Sequence, residues 1–264
     1  MRDYRYVALL LCGLVVAACT PAKLPPPPAD LHVPDFAKKP YAPFSRDAVV
    51  AIALREWRLF GQLVNDDPPG TPRPPGLKPE RAQGLWQRVG EYWWLGLDAG
   101  RDEAAWTGMH DMFGTVFAPD QDGQYAWSAA FISYVMRIAG AGARFPYSPS
   151  HWTYIDRART PIADLVVSAQ RVEDVAPRPG DLICTGRGAN RDLRYDDLPA
   201  GPYLSHCDIV VAAAPGQISV VGGNVDDAVT MKHVPVTPDG LLATPDGQVL
   251  DARYVWMVVL RTRD

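Results

Sequence analysis

Leu204-Ser205-His206-Cys207-Asp208-Ile209-Val210-Val211 reads as a strand that enters a sheet from a polar loop. Alternation puts His206, Asp208 and Val210 on one face, and Cys207 and Ile209 on the other. Upstream, Pro177-Arg178-Pro179-Gly180-Asp181 is a turn shaped by the Asp181 side chain, and Leu182-Ile183-Cys184 begins another strand. Residues 217–221, 228–236 and 254–261 read as further strands, separated by Gly, Pro and Asp turns.

The pattern before this region is helical. Ser45 is a helix N-cap, and Val49, Val50, Ile52, Ala53, Trp57, Phe60 and Val64 follow at helical spacing. Residues 66–75 form a loop. A second helix starts at Pro79, a first-turn proline, and carries Leu85, Trp86, Val89, Tyr92 and Trp93. Residues 104–117 are ambiguous, with a third helix as one reading. A strongly apolar helix runs from Trp127 to Ala139 and stops at Gly140 and Gly142. Ser150 caps a short helix through His151, Tyr154 and Ile155. Helices first and strands last define an α+β class, with N-terminal helices packed on an antiparallel sheet, and not a βαβ fold. The expected domain is 45–264, helical over 45–160 and sheet over 175–264.

The N-terminus is a different kind of segment. Arg2 and Arg5 precede an apolar run from Val7 to Ala18, too short for a permanent membrane helix, so 1–18 reads as a signal peptide. Val16-Ala17-Ala18-Cys19 resembles a bacterial lipoprotein box. That resemblance implies lipidation of Cys19, and Thr20 in place of aspartate implies an outer-membrane anchor facing the periplasm. Residues 19–44, with Pro25 to Pro28, form a stiff tether. No second apolar stretch is long enough to cross a membrane, so the lipid is the expected membrane contact. A net charge of −4 without a basic block excludes nucleic acid as an expected partner.

Of four cysteines, Cys12 leaves with the signal and Cys19 takes the lipid. Cys184 and Cys207 remain in an oxidising compartment, where a cross-strand disulfide is the favoured reading and a reactive thiol the other. CxxC and HExxH motifs are lacking, and neither metal nor cofactor is expected.

Three segments carry candidate chemistry. Tyr125-Ala126-Trp127-Ser128-Ala129-Ala130-Phe131 sets Ser128 in the first turn of a buried helix, where free N–H groups suit an anionic intermediate. A capping serine is the plainer reading. His206 opens its strand where it can point into a cleft or lie at a surface edge. Ser219-Val220-Val221-Gly222-Gly223-Asn224-Val225 ends a strand, either as a simple turn or with Asn224 fixing the His206 tautomer. Tyr125, Trp127, His151 and Asp208 are candidate cleft-lining residues, although an aromatic cluster on a helix more commonly packs into the core.

The order of helix, Pro-Gly-Asp-Leu, Ser-His-x-x-Ile-Val and Gly-Gly-Asn, over roughly Tyr125 to Val229, resembles papain-like cell-wall hydrolases of the NlpC and CHAP type. Gly90-Glu91-Tyr92-Trp93-Trp94 with Trp127 to Tyr134 resembles an uncharacterised bacterial family of that clan, without an assigned activity. The resemblance implies a papain-like core and peptidoglycan or a related peptide as partner. It also implies a catalytic set of Ser128, His206 and Asn224. Ser128 stands where the hydrolases have cysteine, so its proton must pass to an imidazole during attack, because a hydroxyl does not ionise there as a thiolate does. An amide or ester hydrolase is one expectation. A catalytically inactive wall-binding or scaffold protein is the other.

Overall fold

The strands are β1 (Val167–Gln170), β2 (Leu182–Gly186), β3 (Ser205–Ala214), β4 (Gln217–Val225), β5 (Ala228–Pro235) and β6 (Trp256–Thr262). In the computed structural model, which describes residues 43–71, 78–97, 101–118, 121–162 and 164–264, they form one sheet in the order β1-β6-β2-β3-β4-β5. Every neighbouring pair is antiparallel. Among the described residues, four helices precede them: α1 (Arg46–Leu59), α2 (Leu85–Gly96), α3 (Ser128–Ile138) and α4 (His151–Arg159). The protein is thus α+β, with the helices ahead of the sheet in the chain.

Both faces of the sheet are covered, which explains why β2 is buried at all five positions instead of alternating. Leu182, Cys184, Cys207 and Ile209 pack with the helices. Ile183, Val210, Val220, Val259 and Trp256 pack on the other side with Val236, Leu242, Ala243 and Tyr254 from the long β5–β6 connection. Phe131, Ile132 and Val135 of α3 are fully buried, and burying each stabilises the fold by roughly 1.5–3 kcal/mol. Cys184 and Cys207 face one another in the β2–β3 register and form a disulfide.

Helix positions are fixed by buried polar contacts as well as by apolar area. Ser45 caps α1, its hydroxyl accepting from the Ala48 N–H at 3.2 Å. Glu56 of α1 is fully buried and receives both ends of the Arg88 fork, each at 2.7 Å, together with the Tyr92 hydroxyl at 2.7 Å. Such a bidentate pair is among the stronger polar contacts, and here it ties α1 to α2. Asp181 accepts from the Arg178 N–H at 2.9 Å, shaping its turn, and from the Arg46 guanidinium at 2.7 Å.

The outer edge of β5 is partly closed. The Asn65 N–H donates to the Met231 carbonyl, and the Met231 N–H to the Leu63 carbonyl, each at 2.9 Å. Asp66 accepts from the His233 N–H at 2.7 Å.

Several boundaries differ from expectation. Phe44 is a core residue, 5 % exposed, and does not belong to the tether. The sheet starts at Val167, before residue 175. Pro79 opens a separate 3-10 turn, and the helix proper begins at Leu85. Residues 104–117 hold the end of a 3-10 turn and a small hairpin closed by a His110–Val116 bridge, not a helix. Signal peptide 1–18, Cys19 and the tether before Pro43 lie outside the described residues. Among the described residues, no helix is long and apolar enough to cross a membrane.

Candidate functional site

Ser128 is the first residue of α3, with Trp127 at the N-cap position and no side-chain cap. The serine hydroxyl is not spent on the helix backbone. Its Oγ lies 2.7 Å from Nε2 of His151, the first residue of α4. On the other side of that ring, Nδ1 meets the Tyr154 hydroxyl one turn along α4. Two helix starts therefore converge, one presenting a hydroxyl and the other an imidazole. Because the first N–H groups of a helix have no intrahelical partner, the start of α3 also presents backbone donors beside Ser128.

The chain of contacts has a proton arrangement suited to attack. With Nδ1–H donating to the Tyr154 oxygen, Nε2 is free to accept the Ser128 proton. Burial, reinforced by the neighbouring His206 imidazole, holds the His151 pKa well below its ordinary value. The ring is then neutral, the form a general base requires. Burial and the nearby Asp208 charge raise the Tyr154 pKa far above that of an exposed phenol, so its proton stays in place. Ser128 and His151 open onto a cavity of about 560 Å³ whose walls include Trp93, Trp106, Trp152 and Tyr203. Among the described residues, no group of three or more His, Cys, Asp or Glu is placed to hold a metal ion.

Behind His151 lies a second cluster. The His206 ring is 5.2 Å from the His151 ring, centroid to centroid. His206 Nε2–H donates to Asp208 at 3.0 Å, and the Lys232 ammonium donates to the other carboxylate oxygen at 2.6 Å. Alternation along β3 accounts for the first contact, because His206 and Asp208 share a face. All three side chains are buried. Burial alone would raise the Asp208 pKa, but Lys232 and His206 outweigh it and hold the carboxylate ionised. Burial likewise pushes His206 down to about 4, against the pull of Asp208. Gly222 permits this packing. A β-carbon there would sit 1.9 Å from Asp208 Oδ1 and 3.0 Å from His206 Nε2. A β-carbon on Gly223 would meet Phe131 of α3 at 2.5 Å. The glycine pair thus lies within β4, where backbone and neighbours approach closely, and not in a turn.

The predicted set Ser128, His206 and Asn224 is not assembled as drawn. His151 occupies the place beside Ser128, and His206 stands one ring further back. Asn224 does not orient His206, whose Nε2 is taken by Asp208. Instead, Asn224 lines a separate cavity with Arg187 and Tyr254. Of the expected cleft-lining residues, His151 lines the Ser128 cavity. Trp127 is core, its indole N–H donating to Glu80 at 2.5 Å. Tyr125 stacks on Phe117 with centroids 3.5 Å apart, leaving the cavity wall to its neighbours Gln124 and Ala126. Asp208 is sealed in the sheet between the His206 ring and the Lys232 ammonium. Sequence reasoning missed Lys232; its one signal is a lysine within the strand-like run 228–236.

Fold and site together define an α+β domain with a serine–histidine pair at two helix starts, on the wall of a cavity. Residues 80–262 match the model of the DUF2272 family, described as uncharacterised protein conserved in bacteria, and the chain belongs to that family. Neither a curated protein nor a solved structure matches it.

Proposed function

We propose that the domain is a serine-dependent amide or ester hydrolase with a papain-like core, related to NlpC-type and CHAP-type enzymes. It is carried on an outer-membrane lipid anchor at Cys19, faces the periplasm and acts on peptidoglycan or a related peptide. The observation that carries this reading is the 2.7 Å contact between Ser128 Oγ and His151 Nε2 at the wall of an open cavity. Ser128 Oγ attacks the carbonyl carbon as His151 takes its proton. The oxyanion is held by backbone N–H groups at the start of α3. His151 then gives the proton to the departing amine or alcohol, leaving an acyl-serine. Water, deprotonated by His151, releases the acid and restores the hydroxyl. Tyr154 orients the imidazole, taking the role first expected of Asn224.

One observation favours a second reading. His151 leans on a neutral phenol where catalytic triads place a carboxylate. In that case the aromatic-walled cavity binds wall material without cutting it.

A fluorophosphonate probe and purified peptidoglycan separate the two. Wild type is expected to be labelled at Ser128 and to release soluble fragments, while Ser128→Ala and His151→Ala do neither. Ser128→Cys is expected to retain or raise turnover. Wall binding by wild type without labelling or release would overturn the hydrolase and leave the binding protein.

A further inference from the structure

Two adjoining cavities, of about 490 and 100 Å³, share Arg187, Tyr254, Pro69 and Gly70 in their walls. None of their lining residues belongs to the Ser128 cavity. Three guanidinium groups face the larger one, but they are not equally free. Arg253 is engaged by Asp251 and Asp66, and Arg191 by Asp192. Arg187 forms no ion pair among the described residues. Its position is fixed from below, since its own N–H donates to the Leu204 carbonyl at 2.9 Å. Its guanidinium carbon lies 5.8 Å from the centroid of Tyr254. The charge is felt as far as His151, His206 and Lys232, where it disfavours protonation.

The smaller cavity adds Asn224, whose backbone is held at φ 53° in the left-handed region. Asparagine tolerates that region better than most residues. Asn224 makes no side-chain hydrogen bond among the described residues, so its amide faces the cavity uncommitted. Asp226 and Asp192 lie in the same walls. They oppose a doubly charged guest and leave room for a single negative charge on Arg187. A planar carboxylate also matches the guanidinium fork.

We propose that this double cavity binds a small carboxylate-bearing molecule, with the carboxylate on Arg187 and the Asn224 amide and the body of the molecule against Tyr254. The site is independent of the hydrolase reading, since it shares no residue with the Ser128 cavity.

Calorimetric titration of the full-length chain with N-acetyl-alanyl-alanine, its C-terminal amide and inorganic phosphate tests this. Saturable binding of the acid but not of the amide is expected. Arg187→Ala should weaken it by roughly tenfold or more, the worth of one charge-assisted pair. Arg187→Lys, which keeps the charge without the fork, and Asn224→Ala should each weaken it less. Ser128→Ala should bind as wild type. Equal binding of acid and amide, unchanged affinity in Arg187→Ala or Arg187→Lys, or no binding of the acid by wild type would overturn the proposal. Phosphate bound as tightly as the acid would overturn the carboxylate assignment.

Discussion

Two histidines lie with their rings 5.2 Å apart in settings of opposite character. His151 opens a helix, touches a hydroxyl on each side and lines a cavity. His206 sits in a strand, touches a carboxylate and is backed by a buried ammonium. The first ring has neutral partners and lines a cavity, although both rings are almost fully buried, at 4 % and 3 % exposed. The second is a neutral ring packed against the buried Asp208–Lys232 pair, whose disruption would cost folding energy. Partner charge and a place on a cavity wall distinguish the two rings; residue type does not.

Substitutions should divide along the same line. Lys232→Met leaves the Asp208 carboxylate buried with only an imidazole, and should lower unfolding free energy in urea by about 3–5 kcal/mol. A loss near zero would mean that Asp208 is not held as an ion. Gly222→Ala drives a β-carbon against Asp208 and should cost about 2–3 kcal/mol, the upper part of the range for overpacking.

Acid should act on both rings at once. Burial lowers the pKa of each below the ordinary 6.5, with His206 reaching about 4. The unfolded chain therefore takes up protons before the folded one as pH falls, and stability declines from about pH 6.5 toward pH 4. Thermal scans across that window should show a falling Tm. A flat profile would put both imidazoles in water. Smallest in stability is Ser128→Ala, expected at about 1 kcal/mol or less for one lost hydrogen bond, although it should abolish phosphonate labelling.

Legibility in the sequence followed how local each cause was. The Ser45 cap, the apolar face of α3 and the β3 alternation that pairs His206 with Asp208 are set by residues within a few positions of each other, and the sequence displays them. The face-to-face cysteines, Cys184 and Cys207, followed from two strands of ordinary pattern. By contrast, the Ser128–His151 contact depends on how α3 and α4 converge, and no periodicity encodes that angle. The sequence marks His151 only as a candidate wall residue. The Gly222-Gly223 pair misled because glycine signals both turns and close approach. Only neighbours distant in the chain, Asp208 and Phe131, decide between them. A histidine base needs an orienting partner, which pointed Asn224 toward His206, but Asn224 has a left-handed backbone and lines the Arg187 cavity instead.

The closed edge of β5 has a consequence for handling the protein. Strands at a sheet margin recruit like strands from other molecules unless something occupies their free amides and carbonyls. Here the segment around Leu63 and Asn65 does so. Trimming the chain back to the family-matched region from residue 80 would strip off that cover along with α1. A shortened version should therefore self-associate into aggregates, even with every residue of the Ser128 cavity intact.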